Sequence, residues 1–101
     1  MIIYNVTLKI RESIHNEWLK WLKEIHIPDV MDTGCFTKSL VVKLLETDES
    51  EGPTYAVQYT AENKAHYDRY IEDFAGEMRK RSFAKWGDQF IAFRSVMEIV
   101  D

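Results

Sequence analysis

The chain carries one cysteine and two prolines in 101 residues, and it has no long apolar run. With Cys35 alone, neither an intrachain disulfide nor a cysteine-based zinc site can form. The opening residues, MIIYNVTLKI, lack the basic segment and cleavage signature of a secretory leader. Nothing approaches the ~20 apolar residues of a membrane span. The expectation is a cytoplasmic protein with no membrane contact. Positive charge is also short, with 13 Lys and Arg against 17 Asp and Glu and a net charge of −4. That balance argues against a nucleic-acid partner, which needs a basic face to displace counterions. The local exception, Arg79, Lys80, Arg81 and Lys85, reads as a solvated helix end whose cations suit the helix dipole, rather than as an anion site.

What the chain does hold is apolar side chains, 46% of the total, arranged in clear periods. A chain this long buries roughly two-thirds of its unfolded surface, enough for one core, so residues 1–101 are expected to form a single domain. From Ile2 to Ile10 the even positions are apolar, while Asn5, Thr7 and Lys9 mark the odd ones, which is a strand with one apolar face. Ser13 offers a helix cap, and Ile14, Trp18, Trp21, Leu22 and Ile25 follow at helical spacing. Pro28 should stop or kink that helix near Ile27 and start a short turn over Asp29 to Asp32, closed by Gly34. Cys35–Glu46 reads as a second strand, Thr47–Pro53 as an acidic hairpin loop and Thr54–Ala61 as a third strand. Asn63 can cap a second helix bearing Tyr67, Tyr70, Ile71, Phe74 and Met78, with its phase lost toward Phe83 and Trp86. Phe90–Val100 is the last strand.

The order β-α-β-β-α-β predicts an α+β, ferredoxin-like fold, a four-stranded antiparallel sheet with both helices on one face. Two helices cover only one side. Yet the last strand is apolar on both, with Ile91, Phe93, Met97 and Ile99 opposite Phe90, Ala92, Val96 and Val100. The simplest cover for the leftover face is a second copy of the same sheet, so a homodimer through the sheet face is expected.

Three segments, EIHIPDVMDTGCF, YAVQY and WGDQFIAFRSVMEIV, together resemble a small bacterial domain-of-unknown-function family over nearly the whole chain. The resemblance implies the dimeric α+β barrel superfamily, in which two ferredoxin-like sheets pair with the helices outside. Its relatives include antibiotic-biosynthesis-type monooxygenases, haem-degrading enzymes and muconolactone-type isomerases. Some of those enzymes use a His in a comparable His-x-Pro helix exit, which matches His26 and Pro28 here. In some an Asn on the first strand belongs to the site, which matches Asn5. No activity carries over.

On spacing alone, His15 and His26 lie eleven residues apart. That returns them to within roughly 20° of one helix face but about 16 Å apart along the axis, too far for one metal. Neither a metal nor a cofactor is expected. His26, near a helix C-terminus, would be favoured as the cation and is the better candidate for a general base, with His15 second. Trp18, Leu22, His26, Tyr59, Tyr70 and Asn5 are the candidate ligand-binding residues, and Cys35 reads as a small core residue. The leading functional reading is a dimer that binds a small apolar or aromatic molecule between helices and sheet. The alternatives are a cofactor-independent monooxygenase or isomerase with a His base, and a structural or partner-binding dimer without a pocket.

Overall fold

The alternation of the first nine residues decides the architecture. The structure, a computed structural model, describes residues 1–101. Strand β1 (Ile2–Ile10) runs antiparallel to both of its neighbours, β3 (Thr54–Ala61) and β4 (Phe90–Glu98). Strand β2 (Lys38–Lys43) pairs with β3, so the sheet order is β2-β3-β1-β4. Register puts Tyr4 beside Tyr59 and Val96, and Val6 beside Val57 and Arg94, all on the helix-covered side. Ile3, Asn5, Thr7 and Lys9 face the other way. This is the ferredoxin-like α+β fold.

The helical layer departs from the expected pattern in three places. Ser13 caps nothing. It sits inside a 3-10 turn, Glu12–Ile14, where Ile14 N donates to Arg11 O at 3.1 Å, and α1 (His15–Trp21) starts only after it. Pro28 does not stop the helical run, though a short helix does start beside it, as expected. The chain widens into a π turn over Leu22–His26, whose defining bond runs from Ile27 N to Leu22 O, and continues as α2 (Ile27–Met31). The wider turn makes room for the proline ring, which in a regular helix would clash with the carbonyl one turn earlier. The corner then closes through Thr33, whose Oγ1 donates to Val30 O at 2.7 Å, and Gly34 at φ 76°.

The second helical segment breaks at Phe74, earlier than expected. Helix α3 (Lys64–Asp73) is capped by Asn63, which accepts from His66 N at 3.0 Å, and α4 (Ala75–Trp86) starts directly after Phe74. The break has a steric reason. Sixteen residues separate Tyr70 from Trp86, and an unbroken helix would set them about 160° apart. With the bend, both are buried, while Phe83 stays 66% exposed.

Strand β2 is shorter than the expected Cys35–Glu46. Cys35 and Phe36 plunge into the core before pairing begins, and Glu46, at φ 56°, turns the chain out after it. Strand β4 ends at Glu98 rather than Val100.

An aromatic cluster centred on Tyr4 ties the layers together. Its ring lies 5.6 Å from Tyr70, 5.7 Å from Tyr67 and 6.2 Å from both Tyr59 and Phe36. Such pairs add about 0.5–1.5 kcal/mol each beyond the area they bury.

The β2–β3 loop is anchored on the end of β1. Ile10 N donates to Pro53 O and Glu12 N to Glu51 O, both at 3.0 Å. Gly52, at φ 141°, lies so close that an added Cβ would fall 1.8 Å from Ile10 O. Gly52→Ala should therefore cost at least about 2 kcal/mol in urea unfolding, since backbone must shift on top of the strained φ. Gly76, on the exposed side of α4, should behave oppositely. An added Cβ there would meet nothing within 4 Å, so Gly76→Ala is expected to gain about 0.5 kcal/mol in the same measurement.

Candidate functional site

Between the helices and the sheet lies a cavity of about 70 Å³. The sheet supplies Tyr4, Val6 and Leu8 from β1, Val57 and Tyr59 from β3, and Phe90 and Arg94 from β4. The helices supply Trp18, Trp21, Leu22 and His26 from the first helical run and Tyr70, Met78, Arg79 and Ser82 from the second. The π turn matters here, because both of its ends, Leu22 and His26, face this space. A second concavity of about 450 Å³ opens at the far end of the sheet, around Arg11, Glu12, Glu51 and Asp88. It is a polar surface groove.

Five of the six ligand-binding candidates line the cavity: Trp18, Leu22, His26, Tyr59 and Tyr70. Asn5 does not. Its odd position in β1 puts it on the open face of the sheet, where its amide donates to Thr7 Oγ1 at 3.0 Å and Ser95 Oγ at 3.3 Å. Its carbonyl oxygen accepts from Gln58 Nε2 at 3.3 Å. His15 is also elsewhere. Its Nε2 lies 2.6 Å from Tyr55 Oη, a bond that pins α1 to β3. The shared helix face expected for His15 and His26 is lost because the π turn breaks the 100° progression between them.

His26 is neutral rather than cationic. It does not sit at a helix end, since the chain stays helical through Met31, and packing against Trp21 takes much of its half-buried ring out of water. The rings stack with centroids 4.8 Å apart. Burial pushes the imidazole down to about 4, with Arg81 adding to the effect and Asp29 opposing it. An imidazole that holds its proton so weakly is poorly matched to general-base work at neutral pH, though it can donate or accept a hydrogen bond.

The two phenols are the other polar groups. Burial, with Tyr70 and Tyr4 nearby, raises Tyr59 well above the ordinary range, and burial raises Tyr70. Both therefore keep their protons and act as donors. The Tyr59 hydroxyl is fully enclosed, and no protein group lies within hydrogen-bond reach of it. Sequence reasoning missed Tyr4, Arg79, Ser82 and Arg94. Arg94 had a readable signal, a charge at an inward position of an apolar strand. No three His, Cys, Asp or Glu side chains converge as a metal cluster would. Cys35 is buried, its Sγ 3.9 Å from Thr33 O.

A family model described as a domain of unknown function, DUF4286, matches residues 1–100. The chain belongs to that family. No curated protein matches it in sequence. Among solved structures, a dimeric ferredoxin-like protein from an uncultured marine organism superposes with a TM-score of 0.73 at 15% identity, over 100% of this chain and 96% of its own. An ethyl tert-butyl ether (ethd) family protein from Bacillus halodurans gives 0.66 at 12%, over 98% and 100%. A provisionally assigned antibiotic biosynthesis monooxygenase from Deinococcus radiodurans gives 0.61 at 14%, over 100% and 94%. At these identities the likeness is one of fold.

His26 makes stability depend on pH. The unfolded imidazole takes up its proton near pH 6.5, and the folded one only near pH 4, so protons favour the unfolded chain between those values. The contribution is complete above about pH 6.5 and falls away as pH drops to about 4, by about 2–3 kcal/mol. His26→Phe keeps a ring against Trp21 but cannot titrate. Denaturant unfolding at pH 7, 5.5 and 4 should show a smaller acid loss in the variant than in wild type, and equal losses would contradict the neutral, half-buried imidazole.

Proposed function

We propose that residues 1–101 act as one domain, in a homodimer, that binds a small apolar or aromatic molecule in the helix–sheet cavity of each subunit. The observation that carries the reading is the Tyr59 hydroxyl, a buried donor without a protein partner, on a side chain that lines a mostly apolar cavity. A buried polar group left unpaired costs about 1–3 kcal/mol, and a ligand oxygen in the cavity would relieve that cost. The size limits the ligand. About 70 Å³ is well short of the ~300–1,000 Å³ of drug-sized sites and about half of the ~150 Å³ that admits benzene. The occupant is small, or it enters only in part. The weak basicity of His26 favours binding over a His-based monooxygenase or isomerase. The solitary, buried Cys35 suits a cytoplasmic setting.

The dimer rests on the open sheet face. Leu40 and Val42 on β2 and Ile91, Phe93 and Met97 on β4 are exposed there, Phe93 by 70%, on either side of the polar centre formed by Asn5, Thr7, Gln58 and Ser95. A second copy would bury both apolar margins. Multi-angle light scattering at micromolar concentration should give about twice the 12.0 kDa chain mass. Phe93→Asp, at a side chain mostly exposed within the subunit, should halve it. A monomeric wild type would remove the dimer from the reading.

For the cavity, aromatic fragments can be titrated while the indole N–H resonances of Trp18 and Trp21 are followed by NMR. Tyr59→Phe should fold normally and weaken fragments that carry an acceptor by about 5–10-fold, the value of one neutral hydrogen bond. Fragments that perturb only residues outside the cavity would sink the proposal.

A further inference from the structure

The cavity has two cations at its mouth and no anion. Arg79 comes from α4 and Arg94 from β4, so they approach from the helix layer and from the sheet. Neither has a carboxylate within 4.0 Å, and neither side chain donates a hydrogen bond to the protein. Their neighbour Arg81 is the contrast, since it bonds Glu77 and Asp29, both at 3.4 Å. The chain has four more acids than bases, yet neither of these two arginines pairs with one.

The placement of Arg94 is the more telling. It sits opposite Val6 in the β1–β4 ladder, with Ala92 and Val96 as its inward neighbours, on the side of the sheet that otherwise carries the core. An apolar residue there would extend that core. Both arginines line the same cavity as Tyr70, one from the helix layer and one from the sheet. Two like charges facing one small cavity repel each other, and an anion between them converts the repulsion into two attractions.

We propose that the ligand of this cavity is an organic monocarboxylate, its carboxylate held between Arg79 and Arg94 and its short apolar body lying inward against Trp18 and Leu22. The inference rests on the cavity-binding reading above and adds the ligand's charge. A guanidinium fork matches a carboxylate with two parallel hydrogen bonds. The flexible Met78 side chain on the wall can yield to a body larger than the cavity at rest.

The test uses the full chain and five probes, namely butyrate, benzoate, 1-butanol, benzyl alcohol and inorganic phosphate, titrated with the Trp18 and Trp21 indole resonances as readout. At least one carboxylate should bind about 10-fold more tightly than its alcohol. Arg79→Gln and Arg94→Gln should each remove most of that advantage, weakening the carboxylate far more than the alcohol. Rising salt should weaken the carboxylate alone. Carboxylates and alcohols that bind equally, or carboxylate binding that survives both variants, would overturn the anionic ligand while leaving the cavity reading intact. Phosphate binding as tight as the better carboxylate would overturn the apolar body. If no probe perturbs either indole, the cavity reading itself falls, and the inference with it. Both arginines are solvent-exposed, so the variants should fold, and matching thermal melts would establish that they do.

Discussion

Everything in this molecule depends on the register of β1 between β3 and β4. A strand's side chains alternate, so one residue of slip would exchange the two faces completely. In the observed register the even positions of β1 meet Tyr55, Val57, Tyr59 and Ala61 on one side and Phe90, Ala92, Arg94 and Val96 on the other. That row is the floor of the core and of the cavity. The odd positions meet Gln58 and Ser95 and build the polar centre of the open face. A slip would push Asn5 among Tyr59, Tyr70 and Phe36 with its hydrogen bonds unmade. The two faces thus enforce one another, one by burial and the other by amide pairing.

The sheet is legible in the sequence because alternation is a local signal. β1 and β3 match the expected bounds, and β4 falls short by two residues at its free end. The helical layer is less legible, because its irregularities answer to tertiary demands. The π turn accommodates Pro28, and the bend at Phe74 reconciles Tyr70 with Trp86 across sixteen residues. Neither is visible in a pattern that assumes 100° per residue. Ser13 shows the limit of capping rules, since its hydroxyl suits a cap but the backbone has already turned helical at Glu12.

The candidate site is legible in its apolar half. Trp18, Leu22, Tyr59 and Tyr70 belong to stripes that any core would show, and they line the cavity because it is a gap within that core. For Asn5 the family resemblance misleads, whereas its own parity in the strand, opposite to Tyr4, places it on the other face. The arginines look like surface charge in the sequence. Parity alone suffices to find Arg94 but not Arg79, because the bend at Phe74 decides which way its turn of α4 faces. The charge state of His26 is also out of reach: it turns on whether the helix ends at Pro28, and the continued helix with Trp21 against the ring gives the neutral form.

The same sheet therefore offers two surfaces of opposite character, and their chemistry separates their roles. The open face is broad and has its polar atoms already paired with one another, from Gln58 through Asn5 to Thr7 and Ser95, leaving apolar margins to be covered. A face of that kind gains from a large, flat partner and has no unmade bond to offer a small one. The enclosed face is the reverse. It is too small for a macromolecule, yet it holds a phenol with no acceptor and two guanidiniums with no carboxylate. An unpaired polar group is costly where water is scarce, which holds for the Tyr59 hydroxyl, while the two exposed guanidiniums are free to meet an anion. On the proposed reading, association belongs to the open face and recognition of a small molecule to the cavity behind it, with β1 the strand that both share.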